Sequence, residues 1–173
     1  MYKFVFTFFF IVSGLFAQTF QLNNENSKVY YEASKDQFFM NFKVLGINKT
    51  IKGDLEINEN SYKGKLYIDS SKFDSDNSFR DNHVREDYLK SEDFPFIRFD
   101  YTIQGDMAKG IILIAGVPKQ IKFPVEIVET TDNLNIKGKI QIKYSDFAIK
   151  TPETLILKAN DELIIGANLN FKK

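Results

Sequence analysis

Apolar and polar residues alternate along most of this chain, and that period of two constrains the fold more than any other feature. In "TIKGDLEIN", Ile51, Gly53, Leu55 and Ile57 take one face and Lys52, Asp54, Glu56 and Asn58 the other. "YKGKLYID" repeats the pattern with Tyr62, Gly64, Leu66 and Ile68, and "FIRFDYTIQG" with Ile97, Phe99, Tyr101 and Ile103. Later come Leu134, Ile136, Gly138, Ile140, Ile142 and Tyr144, then Leu163, Ile165, Ala167, Leu169 and Phe171. Side chains that point to opposite sides in turn belong to strands. One apolar and one wet face per strand is the pattern of antiparallel sheets.

The spacing predicts eight or nine strands, near 27–33, 38–46, 50–59, 62–69, 96–105, 109–116, 120–130, 134–145 and 162–172. "NENS" (58–61) and "TTDN" (130–133) fit hairpin loops, and "QGDMAKG" (104–110) and "AGVPKQ" (115–120) join later strands. Pro118 is expected in a turn and Pro124 at a strand edge or bulge. "GIILIAG" is apolar on both faces, so this strand is buried twice or meets a partner. With almost no helix to cover them, half-apolar strands must cover each other in a sandwich or a closed barrel. Closure also removes edge strands. About eight strands enclose either packed side chains or one small ligand. The small inward positions Gly53, Gly64, Gly138 and Ala167 interdigitate with large ones or leave an elongated cavity, and the pattern permits both.

The first residues stand apart from this pattern. "MYKFVFTFFFIVSGLFA" has one positive charge, Lys3, an apolar run from Phe4 to Val12 and a small residue, Ala17, at its end. This is the layout of a secretory signal peptide, with cleavage expected after Ala17. The run is short for a membrane span of about 20 residues. The expectation is therefore export with cleavage, leaving residues 18–173 as one mature domain. The full chain has 23 basic and 23 acidic residues, and a nucleic-acid binder would carry a basic excess. There is no cysteine, which removes disulfides, thiolate nucleophiles and cysteine-ligated metals.

One stretch breaks the alternation: "SDNSFRDNHVREDYLKSEDFP", with the only histidine, His83, and two of the three arginines, Arg80 and Arg85. Phe79, Val84 and Tyr88 suit a short helix with one apolar side, with Ser78 or Asp81 as its cap. A second helical turn is expected from Ser91 to the residues before Phe94 and Pro95. One histidine among carboxylates is a candidate general base or a single metal ligand. Zinc sites need several His or Cys ligands, and no Gly-x-Ser-x-Gly elbow is present. The reading preferred here is structural, with His83, Arg80 and Asp81 fixing an irregular connection, no catalytic residue and no metal.

"FRDNHVREDYLKSEDFPFIRFDY" resembles the signature of the YceI-like family through Arg80, Asp81, His83, Asp93, Phe94, Pro95, Ile97 and Phe99. Val84 stands where that family usually has leucine. "KGIILIAGVPKQIKFPVEI" is similar to the family's strand pair through Gly110, Gly116, Val117 and Lys119. "YSDFAI" resembles its late motif through Asp146 and Phe147, with Tyr144 and Ala148 as departures. The resemblance implies a lipocalin-like, extended antiparallel β-barrel of about eight strands with a short helical connection near 78–93. It also implies a non-enzymatic protein that stores or carries an isoprenoid-type lipid or quinone in the barrel. On this reading Phe42, Val44, Leu55, Leu66, Phe99, Tyr101, Leu113, Phe123, Ile140 and Leu169 line the interior, and Arg80 and His83 stand at a polar mouth. No cofactor and no nucleic acid is expected; transient membrane contact and a homodimer stay open. The competing expectation is an envelope structural or stress protein with a solid core and a surface partner.

Overall fold

Every strand among the described residues joins one continuous hydrogen-bonded sheet. The computed structural model describes residues 18–37, 40–58, 60–151 and 161–172, so the expected signal peptide (1–17) lies outside the described residues. The strands are β1 Gln18–Leu22, β2 Lys28–Gln37, β3 Met40–Asn48, β4 Ile51–Asn58 and β5 Ser61–Asp69. They continue with β6 Phe96–Gln104, β7 Met107–Ile114, β8 Val117–Glu129, β9 Asn133–Lys143 and β10 Glu162–Lys172. All neighbours are antiparallel, in the order β1-β4-β5-β6-β7-β8-β9-β10-β2-β3, and a β1–β10 pairing closes the ring.

Ten labelled strands make an eight-stranded barrel because two long strands are each broken once. β1 and β2 pair successively along one edge of β10, with the register slipping by three residues between Leu22–Phe171 and Lys28–Asn168. Those three residues form the 3-10 turn Asn24–Asn26, capped by the Asn23 side chain. The turn is held by buried Ser27, whose hydroxyl donates to the Asn23 carbonyl at 2.7 Å and accepts from the Asn170 amide at 2.9 Å. The second break, between β3 and β4, is organised by Asn48, which is almost wholly buried. Its side chain donates to the Asp69 carbonyl at 2.7 Å and accepts from the Thr50 amide at 2.8 Å. Buried polar side chains persist where they complete such a set of bonds. The sequence reading missed β1, which is too short to show a period.

Inward and outward faces follow the alternation. Leu55, Gly64, Tyr101 and Gly110 are cross-strand partners on the inward side, as are Ile165, Ile140 and Tyr31. The interior is not uniform. Phe20, Leu55, Leu134 and Phe171 are wholly buried and sit where β1, β4, β9 and β10 meet, with Phe20 opposite Leu55 and Phe171 opposite Leu134. This end is solid. Full burial of each such side chain is worth about 1.5–3 kcal/mol.

Turns are tighter than the sequence suggested. β7 and β8 are joined by Ala115 and Gly116 alone, both at positive φ (47° and 79°), the conformation of a two-residue type I′ hairpin. Alanine seldom adopts it, and the sequence reading had spread this connection over 115–120. Gly116 is required twice over, since a Cβ there would lie 2.5 Å from the Phe94 ring. Pro118 therefore falls inside β8 rather than in a turn.

The stretch 70–95 crosses the other end of the barrel. It is tied to β3 by the Ile47–Asp74 bridge, to β2 by the Phe73 ring 5.6 Å from Tyr31, and to the β7–β8 turn by Phe94. Within it, α1 spans Ser78–His83 and continues as one π-helical turn over Val84–Tyr88. The cap is Asn77, whose side chain accepts from the Arg80 amide at 3.0 Å, instead of Ser78 or Asp81. Phe79 is 73% exposed, and Leu89 carries the burial in its place. Residues 91–93 form a turn and not a second helical turn.

Candidate functional site

Above the solid end the inward side chains stop filling the barrel. They enclose an apolar cavity in which about 120 Å³ is open to the centre of a water-sized sphere. One water needs ~10–15 Å³ by that measure, so this is a ligand-sized space and not a packing defect. Its wall comes from almost every strand: Val29 and Tyr31 of β2, Leu66 and Ile68 of β5, Ile97 to Ile103 of β6, Ala108 to Ile114 of β7, Ile121 to Val125 of β8, and inward residues of β9 and β10. Phe73 closes it on the side of the crossing segment. Phe99 stacks on Tyr101 at 5.1 Å between centroids and on Phe123 at 6.0 Å, which gives one wall a continuous aromatic surface.

Of the expected lining, Leu66, Phe99, Tyr101, Phe123, Ile140 and Leu169 face this cavity. Leu55 is on the same inward side but belongs to the solid end. Val44 pairs with Ala33 on the inward side beyond the cavity wall, and the side chain of Phe42 lies outside the described residues. Leu113 is a correction. It pairs with Arg98 and Pro118, both outward residues, while Ile112 and Ile114 face inward. In "GIILIAG" both phases are apolar, so the pattern itself does not choose, and the two-residue turn at 115–116 sets the phase. Ile111, on the outward phase with Leu113, is 52% exposed. The sequence reading also missed Tyr31, Ile165 and Ala167 as lining; the alternation of β10 gave the last two their inward face.

Two tyrosine hydroxyls are buried in this apolar setting. Burial moves Tyr101 well above the ordinary tyrosine range, and its hydroxyl has no hydrogen-bond partner among the described residues. Tyr31 is also raised by burial. Its hydroxyl is turned toward Ser75, but that oxygen already serves Arg80 and Asp81, and no hydrogen bond of normal geometry forms. Both tyrosines stay neutral across the physiological range, so the cavity wall carries no charge.

Arg80 and Asp81 do not stand at an open mouth. The Arg80 guanidinium donates to the Ser75 hydroxyl and carbonyl, each at 2.7 Å, while the Asp81 carboxylate accepts from the Ser75 hydroxyl and amide. Ser75 is buried, so this knot fixes the crossing segment over the hollow end. His83 lies on the outer side of α1, paired with Asp87 and edge-on to Phe79 at 4.5 Å. Neither Arg80 nor His83 lines the cavity. An exposed pair of this kind is worth about 0–1 kcal/mol. His83→Gln is therefore expected to shift stability by no more than ~0.5 kcal/mol and to leave any bound ligand in place, measured by urea unfolding and by mass spectrometry of an extract. Among the described residues no group of His, Asp or Glu converges as a metal site.

A family model described as the YceI-like domain matches residues 20–171. Solved structures share the fold. BcnA of Burkholderia cenocepacia superposes with a TM-score of 0.72 at 21% identity, over 86% of this chain and 98% of that one. A polyisoprenoid binding domain from Saccharophagus degradans, implicated in plant cell wall breakdown, gives 0.69 at 11% identity, over 88% and 97%. The YceI protein of Campylobacter jejuni gives 0.64 at 20% identity, over 80% and 90%. Among curated proteins no sequence matches the chain.

Proposed function

This chain belongs to the YceI-like family, and from that premise we propose that it binds an isoprenoid-type lipid or quinone in its barrel, as a carrier or store without catalysis. The observation that carries this reading is the apolar cavity between a solid floor and a tied-down crossing segment. Each Å² of apolar ligand surface buried there contributes about 25 cal/mol, and no directional contact is needed for a chain of repeating apolar units. The relation to a polyisoprenoid binding domain supports the ligand class. Export to the periplasm or beyond, after loss of residues 1–17, completes the proposal. A surface role is the second reading, supported by the outward apolar side chains Tyr67, Phe96 and Ile111.

The test is an organic extract of the purified mature protein analysed by mass spectrometry. The expected result is a prenyl-chain compound that remains through purification, at up to one molecule per barrel. An empty barrel that also fails to take up added isoprenoids would sink the proposal and favour the surface reading.

A further inference from the structure

One end of the cavity is solid and the segment 70–95 is tied over the other, while two lines of the described wall lack a ladder: the outer edge of β3, apart from the Ile47–Asp74 bridge, and part of the β8–β9 boundary. The β8–β9 ladder runs only from Val125–Gly138 to Glu129–Leu134. Beyond it, residues 117–124 of β8 pair with β7 and residues 139–143 of β9 pair with β10, but not with each other. The cause is legible in the chain. The Val125 amide donates to the Asp106 carbonyl at 2.8 Å, so odd residues of β8 turn their N–H toward β7 and even residues toward β9. Pro124 and Pro118 are even. At the next rung, where Lys139 would face residue 124, proline has no N–H to give, and the ladder stops.

The seam begins beside residues that border both the inner cavity and an outer groove. A groove on the outer face of β8, β9, β10, β2 and β3 shares Tyr30, Val125, Gly138 and Ala167 with the inner cavity. Gly138 leaves room here for the Phe123 ring and the Val125 side chain, which pack so close to its backbone that a Cβ would lie 2.8 Å from the one and 2.9 Å from the other, so side chains of β8 alone cover this part of the wall. The groove carries Lys28, Lys137 and Lys139 against Glu32 and Glu126. Lys137 is the cross-strand partner of Glu126. Lys139 pairs with Gly166, has no partner on β8, and has no ion pair among the described residues.

We propose that this seam is a side door through which the polar end of the ligand emerges, and that Lys139, flanked by Lys28 and Lys137, holds an anionic head of the phosphate type. The inference rests on the lipid reading and deepens it to an isoprenoid chain with a charged terminus. An ammonium group recognises such a head as a point charge at the rim while the chain stays in the apolar interior.

The test compares farnesyl phosphate, farnesol and inorganic phosphate on the full mature chain. The expected result is that Lys139→Glu weakens farnesyl phosphate at least tenfold and leaves farnesol unchanged, while the exposed control Lys109→Glu changes neither. Because the chain has no cysteine, a nitroxide can be placed by Glu126→Cys in the groove or Glu56→Cys near the solid end. The ³¹P signal of bound farnesyl phosphate is expected to broaden from position 126 and much less from 56. Farnesyl phosphate that binds with no response to Lys139→Glu, or that broadens mainly from position 56, overturns the door while leaving lipid binding intact. Inorganic phosphate binding as tightly as farnesyl phosphate also overturns it, since the head would then bind without the chain. Failure of the wild type to bind either isoprenoid removes the lipid reading and the door with it.

Discussion

Ala167→Phe abolishes ligand binding and leaves the barrel folded. Ala167 faces the cavity from the middle of β10, between Val29 and Gly138 on the neighbouring strands. A phenyl ring there enters space that a ligand chain would otherwise occupy. Enlarging a side chain in a filled core costs about 1–3 kcal/mol through strain, but a ring added to an existing cavity gains contacts that the wall lacks. The expected result is a loss of prenyl compound from the purified protein and at least a tenfold weaker uptake of added isoprenoid. The unfolding midpoint in urea is expected to stay the same or rise. Retention of ligand by a folded variant would show that the ligand lies elsewhere.

Phe171→Ala should give the opposite pattern. Phe171 is wholly buried, lies opposite Leu134 and Leu22, and sits at the β1–β10 pairing that closes the ring. Truncating a buried phenylalanine costs about 3–5 kcal/mol, because the solid end cannot collapse around the void. In a domain of this size each kcal/mol lowers the melting temperature by ~2–4 °C, so a fall on the order of 10 °C is expected by calorimetry. The half-exposed Phe96 is the control, and Phe96→Ala is expected to change stability by no more than ~0.5 kcal/mol. Since Phe171 does not line the cavity, variant protein that stays folded at low temperature is expected to retain its ligand. A small stability loss would mean that closure does not depend on this residue. The two variants together separate the hollow half of the barrel from the solid half.

His83 shows how far composition can mislead. One histidine among arginines and carboxylates looks like a site when the chain is read in one dimension. In the fold, the imidazole faces solvent, and the neighbouring Arg80 and Asp81 spend their hydrogen bonds on Ser75. Ser75 carries no signal in the sequence, so the knot was visible only as a cluster of charges. Leu113 was placed on the wrong side for a different reason: where both phases of a strand are apolar, alternation contains no phase information, and the turn two residues further on decides it.

What the amino-acid sequence determined by itself is the class of fold and the direction of most side chains. Period-two alternation is a local property, written residue by residue, and one apolar face per strand leaves a closed sheet as the way to bury it. Tertiary structure alone decided where the interior is filled and where it is hollow. That depends on which large side chains meet across strands far apart in the chain, such as Phe20 with Leu55 and Phe171 with Leu134. It also decided that two strands break, that Pro124 interrupts a ladder, and that Phe123 and Val125 pack on Gly138 beside it. Each of these is a relation between partners, and partners are fixed only when the register is.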